Sequence, residues 1–470
     1  MSSVSSSTSS SPSFTTTNAR LLVVSRYHPD DVSFEGNGQP ILSSEDTRND
    51  GWDLFNHPRH RRALILRELA SRSINNANNN GEKGHRIVFV RPAPPTNDVA
   101  GFHLKDSVYN KIHSPGLLDF LSTGWNRWDA MGEEGQDPSS TVKRNLAEED
   151  DTAVLSSKAT LPLIPGNVSL PRNDPYQRPS RNVMGQVGYY CTDTCTPLFA
   201  ELLEELLWDM ETVQMAVQMA LSDENNDNNK EEEEKEGSSS SKCPAIVYAL
   251  CTHPGHHAAK DAYGGYCYVN HSALAARLMQ ERLSQQQQNN NENTPPLPLP
   301  KVAVLDVDYH CGNGSASIFY DDPSVLVVSI HCHPDWDYPF HSGFEDERGV
   351  GDAVGTTLHL PLLPGTTWDK SYKATLERAM NEIQAFGAQG LVLSLGLDTH
   401  AGDPCAIRRA GFLLQGDDYK EMGALIGKYV VQKQQIPVVV VQEGGYKMDK
   451  VPVAAADVLL GLAGMTSASN

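Results

Sequence analysis

The chain has 470 residues, with 59 Asp and Glu against 38 Lys and Arg and a formal net charge of -21 at pH 7. That balance argues against direct nucleic-acid binding, which needs a basic face that the Lys and Arg spacing does not make, and it leaves a field that draws cationic molecules toward a cleft. There is no run of about 18 uninterrupted apolar residues to span a membrane, and eight cysteines without a Cys-x-x-Cys pair suit a reducing compartment better than a disulfide or zinc-finger framework.

The expected compartment is the cytoplasm, with the nucleus or an organelle as alternatives. Residues 1–19 are rich in Ser and Thr and read as a disordered tail. A transit peptide shares the lack of acidic residues before Asp30, but not the lack of basic residues before Arg20. Residues 20–466 are expected to form a single catalytic domain carrying low-complexity surface insertions near 74–84, 132–160, 221–242 and 284–300. Those stretches, such as Glu231 to Glu234 and the Gln, Asn and Pro run after residue 284, offer too little apolar surface to offset the entropy of ordering them.

In chain order, Leu21 to Ser25 and Ile87 to Val90 read as strands, and the spacing of Arg61 to Ser71 between them predicts an amphipathic helix. Leu117 to Trp128 and Leu198 to Met219 carry apolar residues three and four apart, the helical period. His271 to Arg282 is expected as a helix before the strand at Val302 to Leu305, and Trp368 to Phe386 as one before Leu391 to Leu395. Ile246 to Leu250, Val325 to Val328 and Val438 to Val441 complete the apolar runs. Runs without alternation imply strands covered on both faces, hence a parallel sheet in a three-layer α/β domain with its site at the carboxyl ends of the strands.

Polar clusters stand at those ends. The strand ending at Leu305 runs into Asp306, Asp308 and His310, which share one face because residues two apart do so on an extended chain. Ile246 to Leu250 leads to His256 and His257, Val325 to Val328 leads to Ser329, Ile330 and His331, Leu391 to Leu395 leads to Asp398, and Val438 to Val441 leads to Gly444-Gly-Tyr446. Asp308, His310 and Asp398 are candidate metal ligands that leave a position for water and substrate. Their N and O donors suit Zn2+, with Fe2+ or Co2+ as competitors; the structural alternative is that the aspartates cap helices or form turns. Adjacent imidazoles have no packing reason to exist. Hydrolysis of an amide needs a base and an acid, and His256 and His257 can divide that work with Asp306 and Asn313 as orienting partners. Tyr446, on a glycine turn, reads as an oxyanion donor.

Together these residues resemble the histone deacetylase and acetylpolyamine amidohydrolase family, from about Leu21 to Gly464. Four motifs carry the resemblance: His253-Pro-Gly-His-His-Ala258, Gly264-Gly-Tyr-Cys-Tyr268, Leu305-Asp-Val-Asp-Tyr-His310 followed by Gly312-Asn-Gly314, and Glu443-Gly-Gly-Tyr446. The stretches FLSTGWNRW (120–128), GQVGYYC (185–191), SLGLDT (394–399) and QEGGY (442–446) place it nearer the acetylpolyamine branch. The resemblance implies an arginase-like fold with an eight-stranded parallel sheet and zinc on Asp308, His310 and Asp398. It implies His256 as general base, oriented by Asp306, and His257 as general acid, with Tyr446 stabilising the tetrahedral oxyanion. It further implies a substrate tunnel lined by Tyr266, Tyr338, Gly265 and Cys405, and a structural potassium ion on Asp306, Asp308, His310, Ser329 and Ile330. The expected substrate is a small acetylated amine or an acetyl-lysine peptide, and the expected assembly is a homodimer formed through the 102–190 segment.

Three positions depart from the family pattern. Cys311 stands where many relatives have a second His, His271 where Asn is common, and Arg181 to Met184 lacks the acidic residue expected to hold a distal amine. Asp335 and Asp337, beside Tyr338, are alternative sources of that charge. A protein lysine deacetylase is the main rival reading. A ureohydrolase needs two metals and further paired carboxylates, for which Asp403 is the neighbour of Asp398, and a catalytically dead scaffold would work through the acidic insertions.

Overall fold

The computed structural model describes residues 21–34, 40–41, 58–77, 87–95, 102–134, 163–165, 177–222, 246–289, 298–406 and 411–465. The tail and most of the four insertions lie outside the described residues. The strands are β1 (Leu21–Val24), a short antiparallel pair β2 (Ser33–Phe34) and β3 (Pro40–Ile41), then β4 (Val88–Val90), β5 (Ile246–Ala249), β6 (Val302–Asp306), β7 (Val325–Cys332), β8 (Thr357–Leu362), β9 (Gly390–Leu395) and β10 (Val438–Gln442). Eight of them make one sheet in the order β4-β1-β5-β10-β9-β6-β7-β8, and every neighbouring pair in it is parallel. The eight-stranded parallel sheet implied by the sequence is present.

Each face of the sheet has its own core, which is what makes the fold three-layered. Leu21, Val23, Ile246, Tyr248, Ala303, Leu305, Leu391, Leu393, Val438 and Val440 point to one face, where they meet α1 (Pro58–Ala77), α6 (Lys373–Phe386), α7 (Asp417–Gly427) and α8 (Val451–Leu462). The alternate residues, Leu22, Val24, Val247, Ala249, Val302, Val304, Val392, Val439 and Val441, point to the other. There they meet α2 (Pro115–Glu134), α3 (Val183–Tyr190), α4 (Leu202–Ala220) and α5 (His271–Asn289). Each fully buried Val, Leu or Ile contributes about 1.5–3 kcal/mol, and a one-residue slip of β6 would exchange its two faces. The pairing Asp306 to Ser329 and to Ser394 is thereby set.

The chain reaches the sheet centre in an order that builds a crevice. After β5 it crosses to β6, runs outward through β7 to β8, and only then returns to fill the gap with β9 and β10. The four central strands β5, β10, β9 and β6 therefore end side by side at this switch in direction, the place where open α/β sheets bind ligands.

Local differences from the sequence reading have identifiable causes. The edge strand β8 contains Pro361 and polar residues and so shows no apolar run; proline is tolerated there because it lies at the sheet edge. The helix expected from Leu198 begins at Leu202, because Leu198 exchanges both backbone hydrogen bonds with Leu163, each at 2.9 Å. Helix α5 continues to Asn289, past the expected start of an insertion at 284, since Gln is a good helix former and Gln286 ties the turn to the Leu221 carbonyl at 2.8 Å. Helices α1 and α2 likewise run to Ala77 and Glu134, into the expected insertions.

Candidate active site

The ends of β6 and β9 assemble the first cluster. Asp308, His310 and Asp398 offer donor atoms that all lie within 4.8 Å of one another. His310 Nδ1 is 2.9 Å from Asp398 Oδ2 and 3.3 Å from Asp308 Oδ1, while Asp398 Oδ1 accepts the Tyr309 N–H at 2.9 Å. Gly444, at the end of β10, closes over them: its N–H donates to Asp308 Oδ2 at 2.9 Å, and a Cβ there would stand 2.5 Å from that oxygen and 2.9 Å from Asp398 Oδ2.

Burial opposes the charge on Asp308, but the imidazoles of His256 and His310 hold it well below the usual carboxylate range. Burial and the Asp308 charge push Asp398 up to about 7. His310 is pulled down by burial, yet its bonds to Asp308 and Asp398 hold it well above an ordinary histidine. Two buried carboxylates converging on one imidazole nitrogen, in a cradle that a single methyl group would fill, are a donor set fitted to a divalent cation.

The loop after β5 brings in the histidine pair. His256 Nδ1 lies 2.9 Å from Asp306 Oδ2, and His257 Nδ1 lies 2.7 Å from Asn313 Oδ1. Each acceptor makes its imidazole Nδ1 the N–H donor and leaves Nε2 to the site. The two rings are 4.0 Å apart, but their environments differ. Burial lowers His256, and the charges of Asp308 and Asp306 more than reverse this, holding it up to about 10. Burial, together with His256 and His310, pushes His257 well below an ordinary histidine.

Tyr446 sits on the turn after β10. Asp403 Oδ2 accepts the N–H groups of Tyr446 and Lys447 at 2.7 and 3.0 Å, and the buried Arg61 guanidinium donates to the Gly445 carbonyl at 3.3 Å and lies 5.7 Å from the Tyr446 ring centre. Burial keeps the phenol well above its usual range, so it remains a protonated donor. Tyr266 faces Tyr446 with ring centres 5.9 Å apart, and Tyr338 packs edge-on against His257 at 4.8 Å. Gly265, which precedes Tyr266, has φ +58°, and a Cβ there would come within 2.3 Å of the His257 ring. Cys405, half-buried, donates its N–H to Asp403 at 3.0 Å.

The family described as "Histone deacetylase domain" matches residues 92–462. The chain belongs to that family.

Among its relatives, the acetylpolyamine amidohydrolase 2 of Pseudomonas aeruginosa is 32% identical over 355 residues, 76% of this chain and 82% of that one. The acetylpolyamine amidohydrolase of Mycoplana ramosa is 30% identical over 360 residues, 75% of this chain and 82% of that one. The crystal structure of an acetylpolyamine aminohydrolase from Burkholderia pseudomallei superposes with a TM-score of 0.61 at 24% identity, over 94% of this chain and 98% of that one. The chain is thus a hydrolytic deacetylase of the histone deacetylase family, on the deacetylase-like α/β fold, and this family is metal-dependent.

Several residues that hold the site carry no sequence signal of their own role. Glu443 is buried and accepts the N–H groups of Gly255 and His256 at 2.6 and 3.1 Å and the Ser272 hydroxyl at 2.9 Å. It thus clamps the histidine loop; burial pushes it up to about 7. Asp193 accepts the Gly265 N–H, and Thr196, which donates to the same Asp193 carboxylate at 2.9 Å, accepts the Tyr266 N–H at 2.9 Å. Glu443 stands inside a recognised motif, and Asp403 is visible only as the next acid after Asp398; Asp193 has no comparable marker. Asp403 serves three backbone N–H groups and is not among the clustered donors of Asp308, His310 and Asp398.

In this histone deacetylase-family chain one of the three departures, His271, acquires a structural account, as do the two aspartates offered in place of the missing carboxylate. His271 opens α5, fully buried, with its Nδ1 3.2 Å from the Tyr109 hydroxyl and Nε2 3.6 Å from Asp209, so it is a packed core group. Asp337 does not offer a free charge to the tunnel: it accepts the Tyr309 hydroxyl at 3.3 Å and the Tyr338 N–H at 2.8 Å. Asp335 is exposed beside His333.

Proposed function

We propose that this chain is a zinc-dependent amidohydrolase that removes acetyl groups from N-acetylated amines of the acetylpolyamine class. The observation that carries the reading is the convergence of the His256–Asp306 and His257–Asn313 pairs on the Asp308, His310 and Asp398 cluster. A zinc ion bound by those three ligands would polarise the acetyl carbonyl and make water more acidic.

The chain's own groups divide the remaining work. His257, kept neutral by burial and by its cationic neighbours, accepts the proton from the attacking water at Nε2. His256, which Asp308 and Asp306 hold protonated, supplies positive charge and a proton for the leaving amine. This differs from the division of labour implied by the family resemblance: the Asp308 and Asp306 charges favour the imidazolium on His256, whereas burial and the His256 and His310 charges disfavour it on His257. The Tyr446 hydroxyl donates to the carbonyl oxygen as negative charge develops there. Tyr266, Tyr338, Gly265 and Cys405 line the approach. A structural potassium ion would be held by Asp306, Asp308, His310, Ser329 and Ile330, behind the reacting groups.

The test is acetate release from N-acetylputrescine, N8-acetylspermidine and an acetyl-lysine peptide by zinc-loaded protein. A preference for the free polyamines of at least about tenfold, roughly 1.4 kcal/mol in the transition state, is expected, and no release from any of the three overturns the reading. A peptide preference would support the second reading, protein lysine deacetylation. That reading is favoured by the inward-turned Asp337 and the absence of a carboxylate in the 181–184 stretch. The seven described cysteines are all unpaired, which suits the cytoplasm, and none of the described helices is long and apolar enough to cross a membrane. Residues 20–466 are taken as one catalytic domain, pairing as a homodimer through the 102–190 segment; a monomeric mass by light scattering would contradict the pairing.

A further inference from the structure

Beside the site described above lies a second set of metal-ligating side chains that the reaction does not use. Cys311 follows His310, His331 lies near the end of β7, and His359 lies in β8. The register sets His359 beside Ser329, and His331, two residues on, shares that face. All three residues are buried, and one ligand atom from each falls within 4.8 Å of the others.

Cys311 Sγ stands 3.6 Å from His359 Nδ1. A sulfur about 2.3 Å and an imidazole nitrogen about 2.0–2.1 Å from one ion, at a tetrahedral angle, are about 3.6 Å apart. His359 Nε2 is buried without a hydrogen-bond partner, 3.6 Å from Glu347 Oε2. The Glu347 carboxylate is itself fixed by the N–H groups of Gly343 and Phe344 at 2.7 and 2.9 Å and by the Ser342 hydroxyl at 2.9 Å. That is the arrangement in which a ligating histidine turns its other nitrogen toward a carboxylate. His331 is similarly served, with Nδ1 2.8 Å from Ser329 Oγ.

Gly343 leaves the space open. A Cβ there would lie 2.8 Å from His331 Nε2 and 2.9 Å from Cys311 Sγ, so the glycine faces the sulfur and the nitrogen together. His331 Nε2 now meets the Gly343 carbonyl at 2.9 Å, a bond that ligation would replace. Burial holds His331 down at about 3 and His359 at about 4, so both rings keep the free lone pair that a metal requires.

We propose that Cys311, His331 and His359 form a second, thiolate-containing site for a zinc-like transition-metal ion, with Glu347 orienting His359. Its role is structural: it ties the turn after His310 to the two outer strands β7 and β8. The inference stands apart from the proposed reaction, because Asp308, His310 and Asp398 contain no sulfur.

The probe is Co2+ added to the full-length metal-free chain, with metal content and the near-ultraviolet thiolate-to-cobalt absorption measured together. Two equivalents per chain and a thiolate band are expected. Cys311→Ser and His359→Gln should each bind one equivalent and lose the band, while Asp398→Asn should lose the other equivalent and keep it. Saturation at one equivalent without a thiolate band, a second equivalent without one, or a band that survives Cys311→Ser overturns the proposal. If Cys311→Ser does not fold, His359→Gln makes the same comparison with every cysteine in place. A single equivalent that carries the band and is unchanged by Asp398→Asn would uphold this site and count instead against the catalytic metal site.

Discussion

Replacing Tyr446 by Phe isolates one O–H group. The described residues give the Tyr446 hydroxyl no hydrogen-bond partner; the turn is held through its backbone by Asp403 and Arg61, and the ring by Arg61 and Tyr266. All of those contacts survive in Phe, so folding stability should change by less than about 1 kcal/mol. The oxygen that the phenol serves carries extra charge only in the transition state, so the loss should fall on kcat, with KM nearly unchanged. One such donor is worth about 10²- to 10³-fold, roughly 2.7–4 kcal/mol. Because burial keeps the phenol protonated, the deficit should be the same across the neutral pH range. Steady-state acetate release, metal content and thermal unfolding of the variant provide the check. A fall in kcat below tenfold, or loss of metal with the hydroxyl, would refute the oxyanion assignment.

Three other outcomes follow from the geometry. His257→Ala should lower kcat by about 10²- to 10⁴-fold with metal content intact; an active variant would remove His257 from proton transfer. Glu443→Ala leaves two backbone N–H groups unpaired, at about 1–3 kcal/mol each, whereas Glu443→Gln keeps an acceptor; equal urea midpoints for the two variants would contradict the clamp. Glu205, buried between His253 and Arg59, is raised by burial but brought down to about 2 by the His253 bond and by the charges of His253, Arg59 and Arg62. A depressed folded pKa stabilises above the unfolded value near 4.5 and loses that contribution as pH falls toward 2, about 3 kcal/mol in all. Urea unfolding at stepped pH should show this acid loss in the wild type and a shallower one in Glu205→Gln; identical slopes would exclude it.

Much of the site was legible because its chemistry is concentrated in local spacing. Asp306, Asp308 and His310 are conspicuous by their alternation at the end of an apolar run, although β6 itself ends at Asp306, and His256 and His257 are conspicuous by adjacency. The edge strand β8 escaped because partial burial and Pro361 break the apolar run on which a strand reading depends. Glu443, Asp403 and Asp193 escaped as functional supports because a carboxylate that accepts backbone N–H groups is indistinguishable, in sequence, from one facing water. His271 shows the converse: its departure from the family pattern stood out, and its role proved to be packing against Tyr109 and Asp209.

By itself the sequence determined the fold class, the donor types at each strand end and the family, since apolar runs, residue chemistry and short motifs are all local properties. Only the tertiary structure decided which ends meet. The late return of β9 and β10 into the gap between β5 and β6 brings Asp398 to 2.9 Å from His310, 88 residues away. The meeting of the segment after β5 with the end of β6 and the residues beyond it gives His256 a carboxylate partner and His257 an amide. The buried neighbours of the two imidazoles, Asp308 and Asp306 around His256 and the His256 and His310 rings around His257, push them in opposite directions, because a buried charge interacts with what surrounds it in space and not with what precedes it along the chain.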